Sequence, residues 1–325
     1  MYRVAVIGAG QLGSRHLQGL SQVSPACEIF VVDPSTTSLD VARKRFAEVA
    51  TVRSENKMIS YHTSMEELPT TLDYVVVATN ADIRLNVMRA LLAKRRVGSL
   101  LLEKVLFQYI EDYQAAEKML FEKNVQVWVN CPRRIWAIYR MIHDFFAGDT
   151  LRYFQVRGGA WGLGCNSVHY LDLLAWLTKS APSNFTAAGL DKKIINSKRL
   201  GFFEFTGTLQ GDCGDALFEI TSLVNSNLPS LLTIRSDFKT CIIDEGSKRA
   251  YFLEHSNGRS YSIENFDIPP ISSLSTEIAE QILLQNKSGL PSYQESKAYH
   301  LPFIASLGEF AAKSVGTPPN FCKIT

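Results

Sequence analysis

The stretch Val6-Ile7-Gly8-Ala9-Gly10-Gln11-Leu12-Gly13 decides how the first part of this chain folds. It places the pattern G-x-G-x-x-G between an apolar run, residues 3–7, and a segment with helical periodicity, residues 12–23. In a strand-turn-helix unit the first glycine permits a tight turn, the second lets backbone approach a pyrophosphate, and the third lets helix pack on strand. The helix N-terminus then faces the phosphate charge. We therefore expect cofactor contacts from Gly8, Gly10, Gln11, Leu12 and Gly13.

An acidic residue follows at the spacing that such a site requires. The second candidate strand, residues 29–33, ends in Asp33, twenty positions beyond Gly13. A carboxylate there can accept hydrogen bonds from the adenosine ribose hydroxyls. A 2'-phosphate would meet its negative charge, and the following residues 34–37 offer no Arg or Lys to compensate. The sequence therefore predicts NAD as the cofactor rather than NADP.

The first 130 residues alternate apolar runs with amphipathic stretches, which is typical of a doubly wound parallel sheet. The predicted strands are residues 3–7, 29–33, 74–79, 100–103 and 125–130. The predicted helices are residues 12–23, 39–47, 83–93 and 110–122, and residues 64–67 form a short capped helix. Thr79 and Asn80 follow the third strand at the edge where ligands bind in such folds. We expect them to line the nicotinamide side; the alternative is that they cap the next helix.

After Pro132 the order of predicted helices and strands changes to an α+β pattern. The predicted helices are residues 136–146, 168–178, 275–285 and 293–313. The predicted strands are residues 151–157, 185–190, 202–209, 216–224, 231–238, 251–255 and 260–263. The fold class is therefore α/β: an N-terminal Rossmann domain, residues 1–130, followed by an α+β domain, residues 131–325, with a large, mostly antiparallel, open-faced sheet.

The apolar content and net charge of the chain indicate which class of partner it binds. The chain has 325 residues, 46% of them apolar, and a formal net charge of +2. This balance gives no reason to expect nucleic acid or a membrane as partner, and it favours a small molecule.

No apolar run is long enough to span a bilayer and no leader pattern is visible, so we expect a cytoplasmic protein. The six cysteines are scattered without zinc-ligand spacing, so we predict reduced thiols and no metal site.

A second signature follows at Leu101-Leu102-Glu103-Lys104. A strand that ends in Glu-Lys after such a nucleotide fold resembles the glucose-fructose oxidoreductase and inositol dehydrogenase family (Gfo/Idh/MocA). The resemblance extends over essentially the whole chain, through residues 130–134 and the segment from Gly158-Gly159 to Asp172. It implies an NAD-dependent dehydrogenase that acts on CH-OH groups, with Glu103 and Lys104 beside the cofactor.

The resemblance also implies catalytic residues. The family places the Lys of Glu-Lys-Pro near the substrate hydroxyl, and the His of an Asp-x-x-x-His motif helps to move the hydroxyl proton. The matching residues are Lys104, as electrostatic partner of the developing alkoxide, and His169, as base. Asp172, three residues after His169, either orients the imidazole or satisfies a buried polar group.

Three positions depart from the family pattern. Cys165 stands where the Asp normally precedes the His by four positions, which removes a negative charge that tunes the Lys or His. Val105 replaces the proline after Lys104 and loosens the turn that carries it. Arg84 stands where the family often has His, and the sequence assigns it no role.

Several residues of the second domain are candidate substrate contacts. Arg133 and Arg134 have planar donors that can grip a carboxylate or phosphate, although surface solvation is an equal alternative. Asn166 lies beside His169. Trp161 and Tyr139 can stack on a sugar face, and their alternative is a place in the core.

The sequence therefore predicts reversible NAD-linked oxidation of a secondary alcohol on a sugar, nucleotide-sugar or polyol, with surface carbohydrate biosynthesis as the implied setting. Two alternatives remain. One is an NAD-dependent glycosidase that oxidises its substrate transiently. The other is a dinucleotide-binding sensor or regulatory protein without turnover, which the missing Asp at position 165 favours. The free sheet face, which commonly pairs between subunits in this family, implies a homodimer or homotetramer.

Overall fold

The computed structural model describes residues 1–49 and 57–325 and divides into two compact units. Unit 1 comprises Met1–Phe107, Asp112–Asn130 and Pro269–Tyr293. Unit 2 comprises Gln108–Glu111, Cys131–Ile268 and Gln294–Thr325. None of the described helices is long and apolar enough to cross a membrane.

Unit 1 is built on six parallel strands in the order β3-β2-β1-β4-β5-β6. The strands are β1 Tyr2–Ile7, β2 Cys27–Val32, β3 Lys57–His62, β4 Thr71–Val77, β5 Arg96–Leu102 and β6 Gln126–Val129. The helices that connect them are α1 Gln11–Leu20, α2 Thr36–Glu48, α3 Ala81–Lys94 and α4 Ile110–Lys123. The strand order is that of the dinucleotide-binding fold, and it reverses between β1 and β4, where ligands bind in such sheets.

A distant helix completes unit 1. Helix α7, Ile271–Gln285, packs against α1. The Thr276 hydroxyl donates to the Gly19 carbonyl at 2.9 Å, and Ser275 Oγ lies 2.8 Å from His16 Nδ1. Residues 269–293 were predicted to lie in the second domain and instead belong to unit 1. Their partners are about 260 positions away along the chain, beyond the reach of any local pattern.

Unit 2 contains an eight-stranded sheet in the order β16-β15-β14-β13-β7-β12-β11-β8. Its strands are β7 Leu151–Gly158, β8 Pro182–Leu190, β11 Gly207–Cys213, β12 Ala216–Ser222, β13 Leu231–Ser236, β14 Lys239–Asp244, β15 Arg249–Glu254 and β16 Arg259–Glu264. A separate short pair is formed by β9 Ile195–Asn196 and β10 Phe203–Glu204. Only β7 and β12 pair in parallel within the eight-stranded sheet, which confirms the mostly antiparallel prediction.

The helices of unit 2 are α5 Ala137–Phe145, α6 Leu163–Thr178 and α8, which runs over Tyr293–Val315 from its start at the end of unit 1. Helix α6 packs on β7, β8, β11 and β12. The opposite side of the sheet exposes four apolar side chains on three strands, as expected of an open-faced sheet: Leu217, Leu231, Tyr251 and Leu253.

Three strand predictions need correction. Strand β3, Lys57–His62, was not predicted, because its half-buried polar residues do not alternate cleanly. The predicted strand 202–209 is two strands, β10 and β11, since Gly207 adopts a positive φ of 92° that breaks the extended chain. The predicted strand 231–238 ends at Ser236, whose hydroxyl accepts from Lys239 N at 2.9 Å in a turn that leads to the unpredicted β14.

Candidate functional site

The glycine turn between β1 and α1 has the geometry that the sequence predicts. Gly8 has a φ of 94°, which favours glycine, and a Cβ on Gly13 would lie 1.7 Å from the Gly8 carbonyl oxygen. A Cβ on Gly10 would have nothing within 4 Å, and no side chain caps the N-terminus of α1. Open space beside an uncapped helix N-terminus fits a phosphate group. Gln11 and Leu12 form the first turn of that helix.

Asp33 joins the end of β2 to this turn. Its Oδ2 accepts from Ala9 N at 2.7 Å, and its Oδ1 accepts from Ser35 N at 2.9 Å. A carboxylate has about four lone-pair sites, so two backbone bonds leave it able to accept from ribose hydroxyls. The half-buried carboxylate is thereby fixed beside the turn, and these residues fit a dinucleotide.

Thr79 and Asn80 follow β4. The Thr79 hydroxyl is buried and has no hydrogen-bond partner among the described residues. Asn80 occupies the N-cap position of α3, yet its side chain makes no capping hydrogen bond. The Asn80 side chain therefore does not cap α3. Its contact with the nicotinamide stays a prediction.

Glu103 lies in a buried polar network at the carboxyl end of β5. Its Oε1 accepts from Asn130 Nδ2 at 2.7 Å and lies 2.8 Å from His16 Nε2. The Ser275 hydroxyl donates to the Ile271 carbonyl, which leaves its oxygen to accept from His16 Nδ1. His16 thus lies between Glu103 and Ser275, with one ring nitrogen facing each of them. The sequence analysis missed His16; its signal was a histidine three residues after the last glycine, on the buried face of α1.

The charges around Glu103 decide its protonation state. Burial opposes ionisation of this carboxyl, but the hydrogen bonds and charge of His16, the Asn130 amide and the charge of Lys104 hold its pKa below the usual range. Lys104, the next residue, is half-buried. The predicted Glu-Lys pair is therefore a fixed carboxylate followed by a lysine.

The backbone after Lys104 is also held. Arg84, on the first turn of α3, is 1% exposed. Its guanidinium donates to the carbonyl oxygens of Val105, Leu106 and Thr79. No role could be predicted for this arginine from the sequence, because its partners are backbone atoms that leave no residue-type signal.

His169 lies on α6 of unit 2 and is half-buried. Asn166 Nδ2 donates to the Trp161 carbonyl at 2.8 Å, and Trp161 Nε1 donates to the Thr221 carbonyl at 2.9 Å. The Trp161 ring meets Tyr170 edge-to-face at 5.5 Å. Asn166 and Trp161 each have a hydrogen-bond partner within unit 2. The roles of His169, Asn166 and Trp161 as substrate contacts remain predictions.

A buried carboxylate that the sequence did not single out caps the same helix. Gly162, the N-cap of α6, has no side chain to cap with, and Glu204 of β10 accepts from Gly164 N in its place. Burial raises the pKa of Glu204, while hydrogen bonds from Phe205, Gly164 and the backbone and thiol of Cys165 oppose that rise. Cys165 is therefore in contact with a carboxylate from another element.

Arg133 and Arg134 each bind carboxylates within unit 2. Arg133 makes a two-pronged ion pair with Glu245 at 2.8 and 2.9 Å, and its guanidinium lies 4.3 Å from the centre of the Tyr170 ring. The Tyr139 hydroxyl donates to the same Glu245. The surface-solvation alternative does not hold for these two arginines. A role in substrate binding remains a prediction, and a substrate anion would have to share these donors.

Asp172 is fully buried and completes the second ion pair. Arg134 donates to both of its oxygens, from Nε at 3.0 Å and from Nη2 at 2.5 Å. The Tyr299 hydroxyl donates to Asp172 at 3.0 Å, and Arg134 also binds the more exposed Glu295. These contacts favour the second alternative for Asp172, a satisfied buried polar group, and its catalytic role remains a prediction.

Comparisons with known proteins agree with this geometry. Residues 2–131 match a family described as an oxidoreductase family with an NAD-binding Rossmann fold. No curated protein matches the chain by sequence. An oxidoreductase from Agrobacterium radiobacter, solved with NAD+, L-tartaric acid and magnesium, superposes with a TM-score of 0.73 at 14% identity over 94% of each chain.

Two further solved structures share the fold. UDP-N-acetylglucosamine 3-dehydrogenase GnnA from Acidithiobacillus ferrooxidans has a TM-score of 0.68 at 16% identity over 97% of each chain. A super-repressor mutant of Gal80p from Saccharomyces cerevisiae has a TM-score of 0.73 at 13% identity over 96% of each chain. The predictions of fold class, family and cofactor are confirmed. Residues 2–131 therefore match the NAD-binding Rossmann domain of the Gfo/Idh/MocA oxidoreductase family.

Proposed function

We propose that this protein transfers hydride reversibly between NAD(H) and a secondary alcohol of a sugar, nucleotide-sugar or polyol. The observation that carries the proposal is the Glu103-Lys104 pair at the carboxyl end of β5, with Glu103 held by His16 and Asn130. A lysine that directly follows a fixed carboxylate at this edge of a dinucleotide-binding sheet suits a reaction that develops alkoxide charge. The likeness to a UDP-N-acetylglucosamine dehydrogenase supports the carbohydrate class.

The proposed roles follow from ordinary proton chemistry. Bound NAD supplies the hydride acceptor. The uncapped N-terminus of α1 binds the pyrophosphate, and the Asp33 carboxylate accepts from the ribose hydroxyls. Lys104 stabilises negative charge on the substrate oxygen with its ammonium group. His169 takes the hydroxyl proton on a ring nitrogen and returns it in the reverse direction.

A second candidate function is a dinucleotide-binding regulatory protein without turnover. Cys165 favours it, because the family's Asp is missing from the turn before His169. The likeness to Gal80p, solved as a super-repressor mutant, supports it as well. This candidate requires NAD binding and an absence of catalysis with every alcohol.

The setting of the reaction is also part of the proposal. We place it in the cytoplasm, in the synthesis of surface carbohydrates, with the protein as a homodimer or homotetramer. The exposed apolar side chains of the large sheet, which include Leu217 and Tyr251, support self-association through that face. Sedimentation of the purified chain measures the subunit number.

The test is nicotinamide absorbance during incubation with NAD and a panel of sugars, nucleotide-sugars and polyols. We expect turnover that falls about 100-fold or more in Lys104→Ala and in His169→Ala, because a positioned charge and a positioned proton-transfer group each contribute about that much. Lys118→Ala, which changes a lysine that is 78% exposed on α4, is the matched control and should keep full activity. NAD binding without turnover would favour the regulatory candidate, and failure to bind NAD would exclude both.

The preference for NAD over NADP is tested by a substitution of Asp33. Asp33→Ala removes the charge that opposes a 2'-phosphate, so we expect NADP to bind more tightly and NAD less tightly. Titration of both cofactors by tryptophan fluorescence measures the ratio of their affinities. An unchanged ratio would mean that Asp33 does not set the preference.

A further inference from the structure

Among the described residues, Arg84 is the bulkiest fully buried side chain, and it carries a charge. A buried cation is costly unless its donors are satisfied. Three of its acceptors are backbone carbonyls: Thr79, Val105 and Leu106, the last at 2.8 Å. An apolar side chain would be enough to fill this space. We therefore consider which backbone segments the three acceptors belong to.

The three carbonyls belong to two segments that leave neighbouring strands. Thr79 follows β4, and Val105 and Leu106 follow β5 by way of Glu103 and Lys104. A Cβ on Gly8 would lie 3.1 Å from Thr79 N, so the first of these segments also borders the glycine turn. Arg84 therefore cross-links the two segments at the carboxyl edge of the sheet.

The chain around Lys104 explains the need for this cross-link. On one side, Glu103 is fixed by His16 and Asn130. On the other side stands Val105, which leaves backbone freedom that a proline would remove. The guanidinium of Arg84 supplies the missing restraint from a different element, since it binds the carbonyl of Val105 itself.

We propose that Arg84 is a positioning residue for the catalytic lysine: it fixes the backbone on the C-terminal side of Lys104 relative to the end of β4. The inference rests on the proposed function insofar as Lys104 acts on the substrate. The fork geometry is essential, because one planar group reaches two separate segments, which the point charge of a lysine does not do.

The first test compares Arg84→Met with Arg89→Met, a change of an exposed arginine on the same helix. We expect kcat to fall about 10- to 100-fold in Arg84→Met, the range that a misplaced catalytic group produces. The dissociation constant for NAD should change by a smaller factor than kcat, because the glycine turn and Asp33 are unchanged although the Thr79 carbonyl loses a donor. The kcat of Arg84→Lys should lie between those of Arg84→Met and the wild type. The kcat of Arg89→Met should match that of the wild type.

The second test restores the restraint by other means. Val105→Pro fixes φ at that position, so we expect it to recover part of the kcat lost in Arg84→Met while changing little by itself. Amide hydrogen exchange of residues 104–107 gives a measurement that needs no turnover. That exchange should be faster in Arg84→Met and unchanged in Arg89→Met.

The outcomes separate this inference from the proposed function. A lower melting temperature with wild-type kcat in Arg84→Met would show that the arginine is merely structural, and the proposal would be wrong. If the wild-type protein turns over no substrate, hydrogen exchange decides alone. Faster exchange confined to residues 104–107 and the end of β4 supports the cross-link, and unchanged exchange there overturns it.

Discussion

Each unit of this protein buries one glutamate at a candidate functional position, and the two are held in different ways. Glu103 in unit 1 is 2% exposed and faces His16, Asn130 and Lys104. Glu204 in unit 2 is 8% exposed, and its hydrogen-bond donors are the uncharged groups of Gly164, Cys165 and Phe205. Burial is similar in the two cases, so the difference lies in the charge of the partners.

The pKa values move in opposite directions as a result. Burial raises the pKa of both carboxyls, and around Glu103 the cationic partners outweigh it, so that pKa is lowered. Around Glu204 neutral donors oppose burial without outweighing it, and the pKa is raised. Accessibility alone therefore does not give the charge state of a buried carboxyl; the nearest cation decides it.

The largest expected effect comes from removing the charged glutamate. Glu103→Ala leaves His16 and Asn130 buried without their acceptor, and we expect a loss of about 3–5 kcal/mol in the free energy of unfolding. Urea denaturation measures it. Glu67→Ala is the matched control, because Glu67 also pairs with a histidine, His62, at 2.9 Å but is 55% exposed. That change should cost less than about 1 kcal/mol, and equal losses would contradict the comparison.

The second effect is a difference in pH dependence. The lowered pKa of Glu103 gives stability that is present above the unfolded pKa of about 4.5 and is lost as the pH falls through the folded value. The raised pKa of Glu204 gives stability that is present below about 4.5 and is lost as the pH rises through the folded value.

Denaturation of the wild type, Glu103→Gln and Glu204→Gln between about pH 3 and 8 tests this difference. The stability gap between wild type and Glu103→Gln should close toward acid. The gap between wild type and Glu204→Gln should change in the opposite direction. Slopes of the same sign for both variants would show that the charge of the partners does not distinguish the two sites.

The smallest effect is expected at Cys165. Cys165→Asp restores the acid of the family pattern but places a second carboxylate against Glu204. We expect it to be about 1 kcal/mol less stable than Cys165→Asn at neutral pH, since like charges at a buried site raise each other's pKa. In a Glu204→Gln background the difference between Asp and Asn at position 165 should vanish. A difference that persists there would mean that the two positions do not interact.

The parts of the fold that the sequence predicted depend on neighbours along the chain. Gly8 and Gly13 stand five positions apart in one turn, and their spacing determines both the positive φ and the close approach of helix to strand. Helices α1 to α4 follow from periodicity within each segment. The Glu103-Lys104 pair was identified through the family resemblance, which adjacent residues at the end of an apolar run are enough to show.

The features that were missed depend on contacts across the fold. Helix α7 was predicted as a helix but assigned to the wrong unit, because its partners on α1 lie about 260 residues away. Glu204 lay inside a strand prediction, and nothing in residues 202–209 indicates that its side chain caps α6. Arg133 and Arg134 were predicted as substrate donors, and the carboxylates that bind them lie 38 to 161 positions away.

The sequence by itself determined the dinucleotide turn, the acid at Asp33, and the parallel and antiparallel halves, because residue types at short spacings encode them. Lys104 and His169 became candidates through the family resemblance. Only the tertiary structure decided that His16 helps to lower the pKa of Glu103, that Arg84 holds the backbone after Lys104, and that Glu204 contacts Cys165. A side chain's hydrogen-bond partners and local dielectric are set by which distant segments pack around it, and a local pattern contains no record of them.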